Sequence, residues 1–214
     1  MNGKWMEVIT EYFRTNKDLY LEMVSTHIKI SLIALLIATV IGIGGALLVS
    51  GNERAQKILS AVFQTFRVVP SLAVLILLIP IMGTGIMPAL FALTLLAVPP
   101  IFMNTISGLT SASPFTIETA VGMGMTKRGT FWKVKWPLAR PMILAGVKTA
   151  AIEIVASATL AAKIGAGGLG EIIFTGLGLY RMDLILIGAV SVATLSLMTG
   201  LILDGADKLL VPWK

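Results

Sequence analysis

Five long apolar runs, at about 28–50, 58–82, 85–108, 141–162 and 184–203, set the terms for everything else in this chain. Each is close to the ~20 residues an α-helix needs to cross a ~30 Å hydrocarbon core. In hydrocarbon every backbone N–H and C=O must be satisfied within the protein, so such runs fold as packed helices. The fold class this dictates is all-α, a polytopic membrane protein with about five transmembrane helices. Composition agrees: 13% of residues are charged, about half the ~25% of a soluble domain. Arg67, Pro70 and Pro80 interrupt the second run, and the third carries Pro99-Pro100. Prolines survive in membrane helices where neighbours satisfy the freed carbonyls, which predicts kinked helices packed on one another.

The chain has no cysteine and one histidine, His27. That excludes disulfides and thiol chemistry and disfavours a metal centre. Residues 1–25 are mixed polar and acidic, without the apolar core of a signal peptide. Trp5, Ile9, Tyr12, Phe13, Leu19, Tyr20 and Met23 share one helical face there, opposite the charges. This predicts an amphipathic helix, either at the membrane interface or packed on the bundle. The domain reading is an interfacial helix over 1–25, a transmembrane domain over 26–206 and a short tail over 207–214. His27, at the head of the first span, is expected at the interface.

Five spans put the termini on opposite sides, and the basic residues orient them. Arg54 and Lys57 follow span one; Lys127, Arg128, Lys133, Lys135 and Arg140 follow span three; Lys208 and Lys214 close the chain. The opposite loops between spans hold Lys163 and Arg181. The N-terminus, despite its own four basic residues, is then outside, and the long basic loop and C-terminus are cytoplasmic. A net charge of +6 reflects these loops and needs no nucleic acid.

The loop over 114–140 has structure written into it. Ser113-Pro114 is a helix start, an N-cap followed by proline at the first helical position. Glu118 follows early, and Gly122 and Gly124 break the helix. A second short amphipathic helix with Phe131, Trp132 and Trp136 is expected, ended by Pro137 and Pro141. Basic charge alone fits a lipid-headgroup contact; the helix–glycine–helix layout favours docking on a soluble partner.

Glu118-Thr119-Ala120, then Gly124, then Val134-Lys135-Trp136-Pro137 resembles the EAA loop of binding-protein-dependent ABC importers, with Thr119, Val134 and Trp136 departing from the family pattern. The resemblance implies that this loop is the coupling helix seated in a cytoplasmic ATPase, with Glu118, Thr119, Ala120 and Gly124 at the contact and Lys127 and Arg128 flanking it. Glu118 would cap or salt-bridge; Ala120 and Gly124 would permit close approach.

After span four, Gly165, Gly167 and Gly170 spell G-x-G-x-x-G, but a membrane span precedes them where a dinucleotide site needs a strand. The glycines, with Gly168, instead predict close packing or a re-entrant turn, with Ile172, Ile173 and Phe174 in a short helix. The I-G-A-G-G-L-G stretch, and Pro70-Ser71-Leu72-Ala73 in span two, resemble permeases for glycine betaine, choline and carnitine; related permeases import methionine or phosphonates.

The resemblance implies a transport subunit, not an enzyme, with no cofactor of its own: the chain lacks a P-loop, and ATP and Mg would sit on a partner. It implies a second permease subunit, identical or related, two cytoplasmic ATPases and an external solute-binding protein, assembled in the cell membrane. Gate or pathway candidates are Pro70, Ser71, Glu153, Gly165, Gly167, Gly168 and Gly170. A charge at mid-span costs ~2.5–3.5 kcal/mol on insertion scales, so Glu153 should face protein or water. The favoured expectation is a structural pair with Asn104 or Lys148, the alternative a contact with cationic solute. Arg67 is expected to snorkel to the cytoplasmic interface. The spans hold no aromatic cage for a quaternary ammonium, so the tight site is expected on the binding protein. The rival classes are an ATP-independent channel or secondary transporter and a non-transporting membrane scaffold.

Overall fold

A computed structural model describes the backbone of residues 2–210 and the side chains of 7–209; Trp5 and Lys214 lie outside these side chains. The described residues form helices and turns and no strand. They are α1 (Asn2–Thr15), α2 (Lys17–Val49), α3 (Glu53–Phe66), α4 (Ser71–Met82), α5 (Ile86–Thr110), α6 (Pro114–Gly122), α7 (Lys127–Thr130), α8 (Trp136–Ala161), α9 (Gly170–Gly178) and α10 (Met182–Leu210). Four stretches are long and apolar enough to cross a membrane: α2, α5, α10 and Lys127–Ile164, which contains α8. The bent pair α3 and α4 brings the number to five if the two form one broken span.

The core is where α2, α5 and α8 meet. On α2, Ala34, Ala38, Gly42 and Ala46 recur every four residues, and all are buried. This small-residue stripe lets backbones approach where no hydrophobic drive separates protein from lipid. A Cβ on Gly42 would stand 2.8 Å from Cγ2 of Ile101 on α5. On α8, Gly146 plays the same part: its Cβ would stand 2.7 Å from Cβ of Asn104. Ala89, Ala92, Leu93, Ala97, Ala150, Ile154 and Ala158 complete the packing. Large apolar side chains such as Leu48, Val40 and Leu201 point outward, as they must when the solvent is lipid.

Several expected boundaries move. Helix α2 starts at Lys17, so the amphipathic segment ends at Asn16 and not near residue 25. Ile9, Tyr12, Tyr20 and Met23 pack on Leu169, Ile172, Leu184 and Ile187, and the Tyr20 hydroxyl meets Ser191 Oγ at 2.9 Å. Helix α1 is therefore packed on the bundle. His27 is not at an interface: it is 1% exposed, wedged between α2, α8 and the turn before α9. The second span is not one kinked rod. The helix breaks there because Pro70 withholds a donor and biases Val69 out of the helical region, and α3 and α4 meet at 92° across the break.

Pro137 and Pro141 do not end a helix; they lie in the first turns of α8. A π turn over Phe131–Lys135 joins α7 to α8, with Trp136 N–H donating to the Phe131 carbonyl. Pro137, at the second position, fits a helix start; Pro141 lies inside α8 and leaves the Pro137 carbonyl without its helical donor.

Candidate functional site

Two places gather the residues singled out from the sequence. One is the excursion between α5 and α8; the other is a cleft at the α3–α4 break.

The excursion is closed at its neck. Gly108, near the end of α5, lies so near α8 that a Cβ would stand 2.8 Å from the Ala139 carbonyl oxygen. Beyond the neck, Ser113 caps α6 by accepting from Thr116 N–H at 3.1 Å, with Pro114 next in line. The helix stops in a Schellman motif: Gly124 N–H donates to Val121 O at 2.9 Å and Met125 N–H to Ala120 O at 3.1 Å. That motif needs a left-handed residue, and Gly124 has φ +84°. Thr126 then caps α7, accepting from Gly129 N–H at 3.1 Å. Each break and restart has its own local cause, so the excursion is a built surface.

Its outer face carries Glu118, Thr119, Lys127 and Arg128, all exposed. Phe115, Val121 and Met123 stand out beside them at 77%, 54% and 68% exposure. Ala120 is different: at 2% exposure it faces inward, so it holds α6 against its own chain and offers no contact to a partner. Thr119 Oγ1 donates back to the Phe115 carbonyl at 2.8 Å. The apolar residues of this face escape a motif reading, because only the three-dimensional helix shows which side is turned away. On the inner side Phe131 and Trp136 pack on Leu109, Ala139 and Ile143, while Trp132 reaches outward.

The cleft, of about 240 Å³, is lined by Arg67, Pro70, Ser71, Leu95, Leu96 and Glu153 among others. The structure thus brings Pro70, Ser71 and Glu153 together. Glu153 makes neither expected pair. Lys148 bonds Asp204 at 2.5 Å, and Asn104 donates to the Pro100 carbonyl at 2.8 Å. Arg67 follows the last residue of α3, is exposed, and lines the same cleft. Its place follows from helix geometry. Gly85, between α4 and α5, donates its N–H to the Ile164 carbonyl just past α8, so these ends lie together. Ser71 is 11 residues from the end of α4 at Met82 and Glu153 is 11 residues from Ile164, each about 16 Å along the helix, so the cleft lies well back from that end.

The candidate glycines lie elsewhere. Gly165, Gly167 and Gly168 all have positive φ and form the turn between α8 and α9. Gly170 sits so close to α8 that a Cβ would fall 2.0 Å from the Thr159 carbonyl oxygen. These are packing glycines at one end of the bundle, and none of them lines the cleft.

A helical bundle of membrane-spanning length, with one broken helix pair and an ordered excursion at one end, is the architecture of a polytopic membrane protein. The chain belongs to the family of binding-protein-dependent transport system inner membrane components, which matches residues 30–214. It is a transport subunit rather than an enzyme. It is 37% identical to the carnitine transport permease protein OpuCB of Listeria monocytogenes, over 97% of this chain and 95% of that one. It is 35% identical to the choline transport system permease protein OpuBB of Bacillus subtilis (strain 168), over the same shares. Among solved structures, an inward-facing MetNI methionine ABC transporter superposes with TM-score 0.81 at 22% identity, over 92% of this chain and 98% of that one; this shows a shared fold.

Proposed function

We propose that this chain forms the translocation pathway of an ATP-driven importer for a quaternary-ammonium osmoprotectant of the glycine betaine, carnitine or choline type. The observation that carries this is the near-full-length likeness to permeases named for carnitine and choline. An external binding protein delivers the solute. Two permease subunits, identical or related, enclose the path, and two ATPase chains below supply the energy and hold the ATP and Mg.

The outer face of α6, with Glu118, Phe115, Val121 and Met123, is the surface on which the ATPase acts, and Lys127 and Arg128 flank it. The closed neck at Gly108 and Ala139 supports this assignment, since a push on α6 reaches α5 and α8 as a rigid-body motion. That motion opens the path to one side and then the other. Five crossings with the basic loops inside support an outside N-terminus and a cytoplasmic C-terminus.

The test is reconstitution of the permease with its ATPase and binding protein and measurement of ATP-dependent uptake of labelled glycine betaine. Met123→Asp puts a charge on an exposed position of the docking face and disturbs no packing. Loss of uptake and of ATPase co-purification, with an unchanged melting temperature, is the expected result. Gly124→Asp is a poorer probe, because Gly124 is the left-handed residue of the α6–α7 turn and the change touches the turn as well as the charge. Uptake by the wild type without an ATPase would overturn the importer reading in favour of a secondary transporter.

A further inference from the structure

The cleft at the α3–α4 break has two poles. Arg67 supplies a guanidinium and Glu153 a carboxylate, and both line one space of about 240 Å³. They form no ion pair with each other, while Lys148–Asp204 and Arg181–Asp183 pair elsewhere. Two opposite charges that line one cleft and do not close on each other leave room for a guest between them.

The backbone strengthens each pole. Pro99 and Pro100 have no N–H, so the carbonyls four residues earlier, on Leu95 and Leu96, lose their helical donors. Leu95 and Leu96 line the same cleft as Glu153. The freed oxygens add negative potential where a cation would sit. On the other side Ser71 begins α4, whose N-terminus has no side-chain cap. Its first N–H groups add positive potential beside Arg67. A double proline and a helix break in two different elements thus face one cavity with opposite sign.

Resting on the importer reading above, we propose that this cleft is a transient binding site for a zwitterion, with the solute carboxylate at Arg67 and Ser71 and its quaternary ammonium at Glu153 and the Leu95 and Leu96 carbonyls. The volume suits a small solute, below the ~300–1,000 Å³ of pockets for drug-sized ligands. The site has no aromatic cage, so it holds its guest weakly and lets it pass. It prefers a zwitterion such as glycine betaine or carnitine to choline, which has the ammonium and no carboxylate.

The experiment is saturation-transfer NMR on the permease–ATPase complex in nanodiscs, without binding protein, using glycine betaine and choline as separate probes. Wild type should bind glycine betaine more tightly than choline. Arg67→Gln should weaken glycine betaine by about tenfold, the scale of one charge-assisted contact, and leave choline nearly unchanged. Glu153→Gln should weaken both, and Arg67→Lys should keep most of the preference; melting temperatures identify any variant that misfolds. Equal binding of the two probes by wild type, or an Arg67→Gln variant that binds both as wild type does, overturns the site. ATP-driven uptake in parallel separates the two claims. Uptake with an indifferent Arg67→Gln sinks the site and leaves the importer standing, whereas charge-selective binding without ATP-driven uptake does the reverse.

Discussion

His27 donates from Nε2 to the carbonyl of Val155 at 3.0 Å, and so ties α2 to α8 inside the bundle. Its other nitrogen, Nδ1, accepts from Leu169 N–H at 3.3 Å, at the head of α9. A carbonyl can only accept and an N–H can only donate, so the ring is neutral with its proton on Nε2. One side chain thereby joins two spans to the glycine turn. His27→Leu keeps the volume and removes both bonds, leaving the Leu169 N–H buried without a partner at a cost of about 1–3 kcal/mol. In detergent this should lower the melting temperature by about 3–10 °C. An unchanged value would show that the ring only fills space.

Gly170 and Gly178 open and close α9 and should respond oppositely to alanine. At Gly170 the new Cβ would meet the Thr159 carbonyl oxygen at 2.0 Å, a backbone atom that cannot swing aside. At Gly178 nothing lies within 4 Å. Gly170→Ala should fail to yield monodisperse protein in size-exclusion chromatography, and Gly178→Ala should elute as the wild type. Similar profiles for the two would contradict the close approach of α9 to α8.

Lys148 and Asp204 join α8 to α10 at 2.5 Å with both side chains partly exposed. Such a pair contributes modestly, about 0.2–1 kcal/mol in a double-mutant cycle. A cycle of Lys148→Met and Asp204→Asn, read by thermal unfolding, should give a coupling of that size that shrinks with salt. Coupling above this range would mean that the pair is shielded, for instance by a second subunit.

Gly124 can be replaced according to backbone preference alone, because a Cβ there meets nothing within 4 Å. Asparagine tolerates the left-handed region and valine does not. Gly124→Asn should preserve the α6–α7 turn, and Gly124→Val should loosen it by about 1–2 kcal/mol. Trypsin cleavage after Lys127 or Arg128 would report the difference, faster for Val than for Asn. Equal rates would show that the turn is not what orders this segment.

Much of the architecture was legible because its causes are local. Ser113-Pro114 starts α6 by its own capping chemistry, and Gly124 ends it by a backbone preference that needs no neighbours. The five apolar runs follow from the thickness of hydrocarbon alone. The break at Pro70 was visible as an interruption, but its 92° turn was not, since proline removes a bond without setting the direction the chain takes next. Ala120 looked like part of a contact by its place in the motif, yet its side faces inward. A motif records which residues a surface needs, and some are needed behind it.

By itself the sequence determined the all-helical membrane fold, the helix–glycine–helix excursion and the packing glycines, because hydrocarbon length, capping chemistry and the lack of a Cβ act within a few residues. Only the tertiary structure decided that His27 bolts three elements together, that Lys148 belongs to Asp204, and that Arg67 and Glu153 share one cleft. Those pairings join residues far apart in the chain, and the choice among partners rests on how α3, α5 and α8 pack. A charge inside a membrane announces that it needs company; which company it finds is settled by the geometry of the bundle.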